Sequence, residues 1–138
     1  IDHVECPIPI PVEGRLTELE YLLESGLAAE EDFCSENTGF PSPSALVKHL
    51  KDNIPDQEPA FSHGDMSDGN FFVDGQRISG IIDWGRGGVG DKWFDIAMSI
   101  RSVKEDLGEK HVGLLLERLE EKPDWDKIEY FLLLDVMF

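Results

Sequence analysis

The chain has 138 residues, 41% of them hydrophobic, with 12 basic and 29 acidic side chains and a formal charge of −17. That describes one compact domain or one large lobe with a real core, and it argues against wholesale disorder. A pI near 4.4 argues against unspecific nucleic-acid binding, which needs clustered Lys and Arg, and favours small cationic partners.

In chain order, Cys6-Pro-Ile-Pro-Ile-Pro11 must be extended, because each proline disfavours helix in its predecessor. Glu13 to Ser25 reads as a helix, with Leu16, Leu19, Leu22 and Leu23 on one stripe and Gly26 as its stop. Residues 27–41 read as a loop carrying Glu30, Glu31, Asp32 and Glu36. Ser42-Pro43 starts a helix whose buried stripe is Leu46, Val47 and Leu50. Ala60 to His63 is a short strand or the approach to a loop. Phe71 to Val73, Asp74-Gly75 and Arg77 to Asp83 form a hairpin signal, since Asp-Gly suits a tight primed turn. Gly85 to Gly90 reads as a glycine-rich loop. Helical period returns from Asp91 to about Asp106, and Gly108 breaks it. Lys110 to Glu121 is predicted as a further helix, and Asp124 caps a last one, Trp125 to Phe138. The fold class is α+β: mainly helical with a small antiparallel hairpin.

The longest apolar run, Phe131 to Leu134, is far short of the ~20 residues a membrane-spanning helix needs. The start lacks the basic and apolar regions of a signal peptide. Cys6 and Cys34 make no disulfide framework, so a reducing, cytoplasmic setting is expected. Four scattered histidines form no zinc pattern. A chain that starts at Ile1 reads as a piece of a longer protein.

The informative stretch is His63-Gly-Asp65-Met-Ser-Asp68-Gly-Asn70, followed thirteen residues later by Asp83-Trp84-Gly85. A two-stranded ribbon that starts after Asn70 and ends at Asp83 returns the chain to its starting edge, so these two residues sit together. A carboxylate and an amide oxygen are hard donors that suit Mg²⁺, which takes one or two protein ligands plus phosphate oxygens. Asp65, five residues before Asn70, is placed to approach an acceptor hydroxyl. The order and spacing are those of a kinase catalytic loop and its metal loop. Either motif alone is a common polar turn; the ordered pair separated by one hairpin is far more specific.

HGDMSDGN followed by IDWGRGGVGDKWFDIA resembles the aminoglycoside phosphotransferase family, most closely its 3′-phosphotransferase branch. RLTELEYLL and KPDWDKIEYFLLLD extend the likeness over essentially the whole chain. The resemblance implies the C-terminal lobe of a protein-kinase-like fold, and transfer of the ATP γ-phosphate to a hydroxyl of an aminoglycoside antibiotic. It makes Asp65 the catalytic aspartate and Asn70 and Asp83 the Mg²⁺ ligands. It puts Asp68, Arg86 and Glu105 at the substrate pocket or its edge and brings the C-terminal carboxylate, here on Phe138, to the same region; Asp32 of the acidic 30–32 loop and Asp135 are further candidates on charge grounds. His63 braces the loop. Val136 stands where the branch usually has a glutamate, which bears on substrate range. A polycationic antibiotic is a fitting partner for acidic side chains.

The kinase fold also needs a glycine-rich strand pair and a lysine to hold ATP. Before His63 the chain has only Arg15, Lys48 and Lys51, in helical contexts. Residues 1–138 are therefore expected to be the C-terminal lobe alone, without its ATP-binding partner lobe, and to be a poor ATP binder with little or no activity by itself. Rival readings are another small-molecule kinase (choline-kinase-like) and a truncated, non-catalytic lobe that self-associates through the Trp93–Phe94 region and the Phe131–Phe138 helix. Gly85-Arg-Gly87-Gly-Val-Gly90, with Glu105 further on, also matches a dinucleotide fingerprint. The preceding strand belongs to an antiparallel hairpin, which disfavours that reading.

Overall fold

The computed structural model describes residues 5–27, 33, 38–119 and 122–136. Helix α1 (Val12–Glu24) follows the extended Pro11 and buries Val12, Leu16 and Leu19 along one stripe, with Arg15 beside them. Gly26 closes it at φ +67, a backbone state that costs glycine little. Helix α2 (Pro43–Asp52) is capped by Ser42, whose Oγ accepts from Ala45 N at 3.2 Å. It buries Leu46, Val47 and Leu50 and packs against α1.

Four short strands follow in two antiparallel pairs. Strands β2 (Phe71–Asp74) and β3 (Arg77–Ile81) form the expected hairpin, with Phe71 opposite Ile81 and Asp74 opposite Arg77. Its two-residue loop is Gly75-Gln76 rather than Asp74-Gly75. Gly75 leads at φ +62 and Gln76 stays at negative φ, so this is the glycine-first kind of tight turn.

The second pair corrects the sequence reading. Strand β1 (Pro59–Ser62) pairs with β4 (Gly88–Asp91), Ser62 opposite Gly88 and Pro59 opposite Asp91. Half of the supposed glycine loop is thus a strand. The glycines are there because the proline-rich start lies against them. Ile10 N donates to Val89 O at 2.8 Å and Val89 N donates to Ile8 O at 2.7 Å. A Cβ on Gly88 would fall 2.5 Å from Ile8 O. Pro9, between the two isoleucines, needs no N–H in this parallel bridge. The antiparallel β1–β4 pairing also removes the dinucleotide-fold reading, which requires a parallel unit.

Helix α3 (Lys92–Asp106) starts at Asp91, whose carboxylate accepts from Trp93 N at 2.9 Å. The helix predicted over 110–121 is much shorter: a single 3-10 turn leads into α4 (Val112–Leu116). It lacks a side-chain cap and has Gly113 in its first turn, both unfavourable to a long helix. Helix α5 (Trp125–Asp135) is capped by Asp124 and ends before Val136. Helices α3 and α5 make the most extensive helix pairing in the fold. Trp93, Phe94, Ala97 and Met98 meet Ile128, Phe131 and Leu134 in the core, and Phe94 and Phe131 pack edge to face at 5.8 Å. Tyr130 ties α5 to α2 by donating from its hydroxyl to Leu50 O at 3.0 Å, and burial pushes its pKa up to about 12.

The residues proposed above for self-association, Trp93, Phe94 and Phe131, are therefore core. The exposed large apolar side chains include Phe72, Val73, Ile78, Ile82 and Trp84, on and beside the hairpin. Among the described residues no helix is long and apolar enough to cross a membrane.

One ionic node joins β1, α3 and α5. The Glu58 carboxylate accepts from Lys127 Nζ at 2.6 Å, Lys92 Nζ at 2.7 Å and Trp93 Nε1 at 2.9 Å. These donors, Lys127 foremost, hold its pKa down to about 2 from an ordinary 4.5. A depressed carboxylate stabilises the fold above its unfolded pKa and loses that contribution as pH falls through the folded one. Glu58→Gln should therefore melt below wild type at pH 7, and the gap should close between pH 4.5 and about 2. Thermal melts across that range check it; a gap that stays constant to pH 2 would refute the assignment.

Candidate active site

The chemistry-bearing loop, residues 63–70, runs from the end of β1 to the start of β2. Its backbone is fastened to α3. His63 N donates to Asp95 Oδ2 at 2.6 Å and Gly64 N donates to Asp95 Oδ1 at 2.9 Å. Ser99 Oγ donates to Met66 O at 3.4 Å, and Asp68 N donates to Ser102 Oγ at 2.9 Å. Asp95, Ser99 and Ser102 lie at i, i+4 and i+7 of one helix face, which the loop follows residue by residue. Asp95 was not singled out from the sequence. Its signal is a carboxylate on the helix turn that also carries Trp93, Phe94 and Ala97, all buried. Burial pushes its pKa up, against the pull of the two amides and of Arg15.

From the other side, Arg15 Nη2 donates to Gly64 O at 3.2 Å while its guanidinium lies 4.0 Å over the Phe94 ring. Burial, and then Arg86, lower its pKa from the ordinary arginine value. Gly64 sits at φ +83, and a Cβ there would fall 2.2 Å from Arg86 O. Only glycine lets the loop touch the turn that follows Asp83.

His63 is 1% exposed. Its Nε2 lies 2.7 Å from Ile82 O, and since a carbonyl only accepts, Nε2 carries the proton. Its ring packs on Trp84 at 4.5 Å, and Nδ1 is the buried side-chain polar atom left without a partner among the described residues. His63 thus links the 63–70 loop to the turn around Asp83 through packing and one backbone contact.

Asn70 is buried, and its Nδ2 donates to Asp65 O at 2.8 Å, Asp65 Oδ2 at 3.0 Å and Ser67 Oγ at 3.2 Å. The hairpin brings Asp83 back beside it, with Ile82 N donating to Asn70 O at 3.0 Å. Asp83 has φ +61, the one positive φ on a non-glycine among the described residues. Asp tolerates that state better than most residues because its short side chain bonds locally. Asp65 and Asp83 line one cavity of about 320 Å³ together with Arg86, Arg101 and Asp135.

The other expected site residues separate. Asp68 is exposed and turns to Ser102 rather than to that cavity. Glu105 is exposed on α3 and does not line the cavity. It also does not pair with Arg101 one turn away: Arg101 Nη1 donates to Asp135 Oδ2 across the α3–α5 interface. Arg101 is the cavity residue that sequence reasoning passed over, because its partner is 34 positions away. Asp32 with the rest of the 30–32 cluster, and Phe138, lie outside the described residues.

The metal question turns on donors. The Asn70 nitrogen is committed to the loop, which leaves its Oδ1, and Asp83 adds an exposed carboxylate. Two hard oxygens fit Mg²⁺ bound mainly by phosphate and water. Among the described residues no cluster of three or more His, Cys, Asp or Glu is placed to enclose a metal by protein ligands alone.

The architecture is that of the kinase-like aminoglycoside phosphotransferases. The crystal structure of an aminoglycoside-3′-phosphotransferase of type VIII matches with a TM-score of 0.84 at 23% identity, over 100% of this chain and 55% of that one. A structure of APH(3″)-Id from Streptomyces rimosus, in complex with ADP and streptomycin, matches with a TM-score of 0.82 at 19% identity, over 97% of this chain and 55% of that one. The chain belongs to the phosphotransferase enzyme family, whose sequence model matches residues 10–131. It is 46% identical over 140 residues to an aminoglycoside 3′-phosphotransferase from Enterococcus faecalis and 44% identical to one from Staphylococcus aureus. Both matches take in 100% of this chain and 53% of the relative, so the chain spans about half the length of the curated relatives it matches.

Asp95→Ala leaves two backbone amides at the loop's entry without their acceptor. Each orphaned buried donor costs about 1–3 kcal/mol, so the variant should lose about 3 kcal/mol in chemical denaturation. A loss under about 1 kcal/mol would mean that the loop is held by something else.

Proposed function

We propose that this chain is the catalytic, acceptor-binding lobe of an ATP-dependent phosphotransferase that moves the γ-phosphate to a hydroxyl of an aminoglycoside antibiotic, conferring resistance. The observation that carries the reading is the Asp65 carboxylate, held by Asn70 and facing the same cavity as Asp83. The names of the relatives favour an aminoglycoside acceptor over the choline-kinase-like alternative.

In this reading Asp65 is the residue that touches the acceptor hydroxyl. One carboxylate oxygen is occupied by Asn70 Nδ2, so the other is left to accept from the sugar O–H, orient its lone pair towards the phosphorus, and take the proton. Phosphoryl transfer runs through a loose transition state, so little base strength is needed and positioning dominates. The hydrogen bonds from Asn70 remove the rotamer freedom that would blur that aim. Asn70 Oδ1 and Asp83 would hold Mg²⁺, which when bound neutralises charge on the phosphate oxygens. Arg86, in the same cavity, is placed to pair with anionic oxygen.

The nucleotide needs a second surface. Register puts Asn70, Phe72, Gly80 and Ile82 on one face of the hairpin, and Phe72 and Ile82 are exposed there. An apolar shelf beside Asp83 suits a planar base, and a partner lobe carrying the phosphate-gripping lysine would cover it. We place that lobe in the part of the whole protein that these residues do not span, and the protein in the cytoplasm, where ATP is supplied. Uncovered, the same shelf is the surface through which the isolated chain would self-associate.

In the whole protein, Asp65→Ala should lower turnover by about 10²–10⁴-fold, the usual worth of a positioned proton acceptor, with aminoglycoside affinity changed less than about threefold. Steady-state kinetics beside equilibrium binding separate the two; near-normal turnover removes Asp65 from the role. For the 138-residue chain alone, calorimetry should show no micromolar affinity for Mg-ATP. Micromolar binding would overturn the need for a second lobe.

A further inference from the structure

Asp135 is the last residue of α5, and its side chain is 11% exposed. Four free carbonyls end any helix, so this is a spot where negative partial charge already gathers and where a cation is favoured. A carboxylate placed there adds to that preference. Burial pushes the Asp135 pKa up, while Arg101 first, then Arg15 and Arg86, pull it down. Arg101 is in contact with this half-buried carboxylate, and Arg86 lines the same cavity. Val136, next along, brings no second carboxylate.

Arg101 differs from its partner in freedom. Its side chain is 36% exposed and lines the cavity, whereas Asp135 is fixed by the α3–α5 packing. Any substrate ammonium that aims at Asp135 from the cavity meets Arg101 already bonded to it. We propose that Arg101 is a specificity-determining residue, an internal cation that occupies the Asp135 carboxylate and must be displaced by a substrate ammonium. The inference rests on the aminoglycoside reading above and deepens it.

The exchange sets selectivity. A neutral sugar cannot compete with a charge-assisted, short-range ion pair, so it leaves the pair closed. A ligand with an ammonium at that position trades one cation for another and gains only the difference. Arg101 thereby lowers affinity for the right ligand and raises discrimination against uncharged ones.

The test is a double-mutant cycle read by calorimetry on the whole protein, with kanamycin as the probe and circular dichroism confirming the fold of each variant. Arg101→Met should bind kanamycin about tenfold more tightly than wild type, a difference calorimetry resolves easily. In an Asp135→Asn background the same substitution should change affinity less than about twofold, because the carboxylate being contested is gone. Arg101→Gln, which keeps an amide to bond Asp135, serves if the methionine variant does not fold, and should shift affinity in the same direction by less. An equal gain in the Asp135→Asn background would reveal plain charge repulsion and overturn the displacement. No gain in either background would overturn it too. A folded wild-type whole protein that does not bind kanamycin would instead remove the aminoglycoside reading, and this inference with it.

Discussion

A single half-buried carboxylate fixes the shape of the 63–70 loop. Asp95 enters the interior in the first turn of α3, where the helix dipole favours negative charge. Its burial would be prohibitive alone. Both oxygens are taken by consecutive backbone amides of the loop, His63 N and Gly64 N. Arg15 then closes the arrangement by bonding the outward carbonyl of Gly64 while stacking on Phe94, one residue before Asp95. Anion, amides, carbonyl and cation form a sandwich in which each polar group satisfies the next. Asp65 follows Gly64 directly, so its position is set by a contact made by its neighbours rather than by itself.

Two ribbons then deliver the remaining groups. The β1–β4 pair carries the chain from the loop's entry to the start of α3, which is what allows Asp95 to reach back to residue 63. The β2–β3 hairpin carries it from Asn70 out and back to Asp83. The ribbons meet where Gly64 abuts the backbone of Arg86 and where His63 reaches Ile82 O. A side chain at 64 would push the two loops apart. The hollow that Asp65 and Asp83 share thus depends on a missing Cβ as much as on any bond formed.

Legibility followed the range of the interactions. Ser42 and Asp124 were readable as caps because a cap acts within three residues, and both accept from the amide three positions on. Asn70 and Asp83 were readable together because one tight hairpin separates them. Strand β4 was not, because glycine is a poor strand former on its own and is selected here by Ile8 and Ile10, some eighty positions earlier. Asp95 looked like one more acid among 29; only its two amide partners, which come from another element, distinguish it. Glu105 was misplaced for the same reason in reverse. Arg101, one helical turn away, is taken instead by the half-buried carboxylate of Asp135 on a different helix.

The charge of −17 invites the view that the site is an acid sink for a polycation, and the cavity qualifies it. Three carboxylates line it, but so do two guanidinium groups. The surface excess acts over roughly a Debye length, about 8–10 Å at physiological salt. It therefore speeds encounter with a cationic ligand and discriminates poorly between one amine and another. Discrimination has to come from groups in contact, and here Asp135 is already paired with Arg101. Net acidity outside and the Arg101–Asp135 pair inside therefore act at different ranges: the first attracts any cation, and the second presents its carboxylate already matched to an arginine.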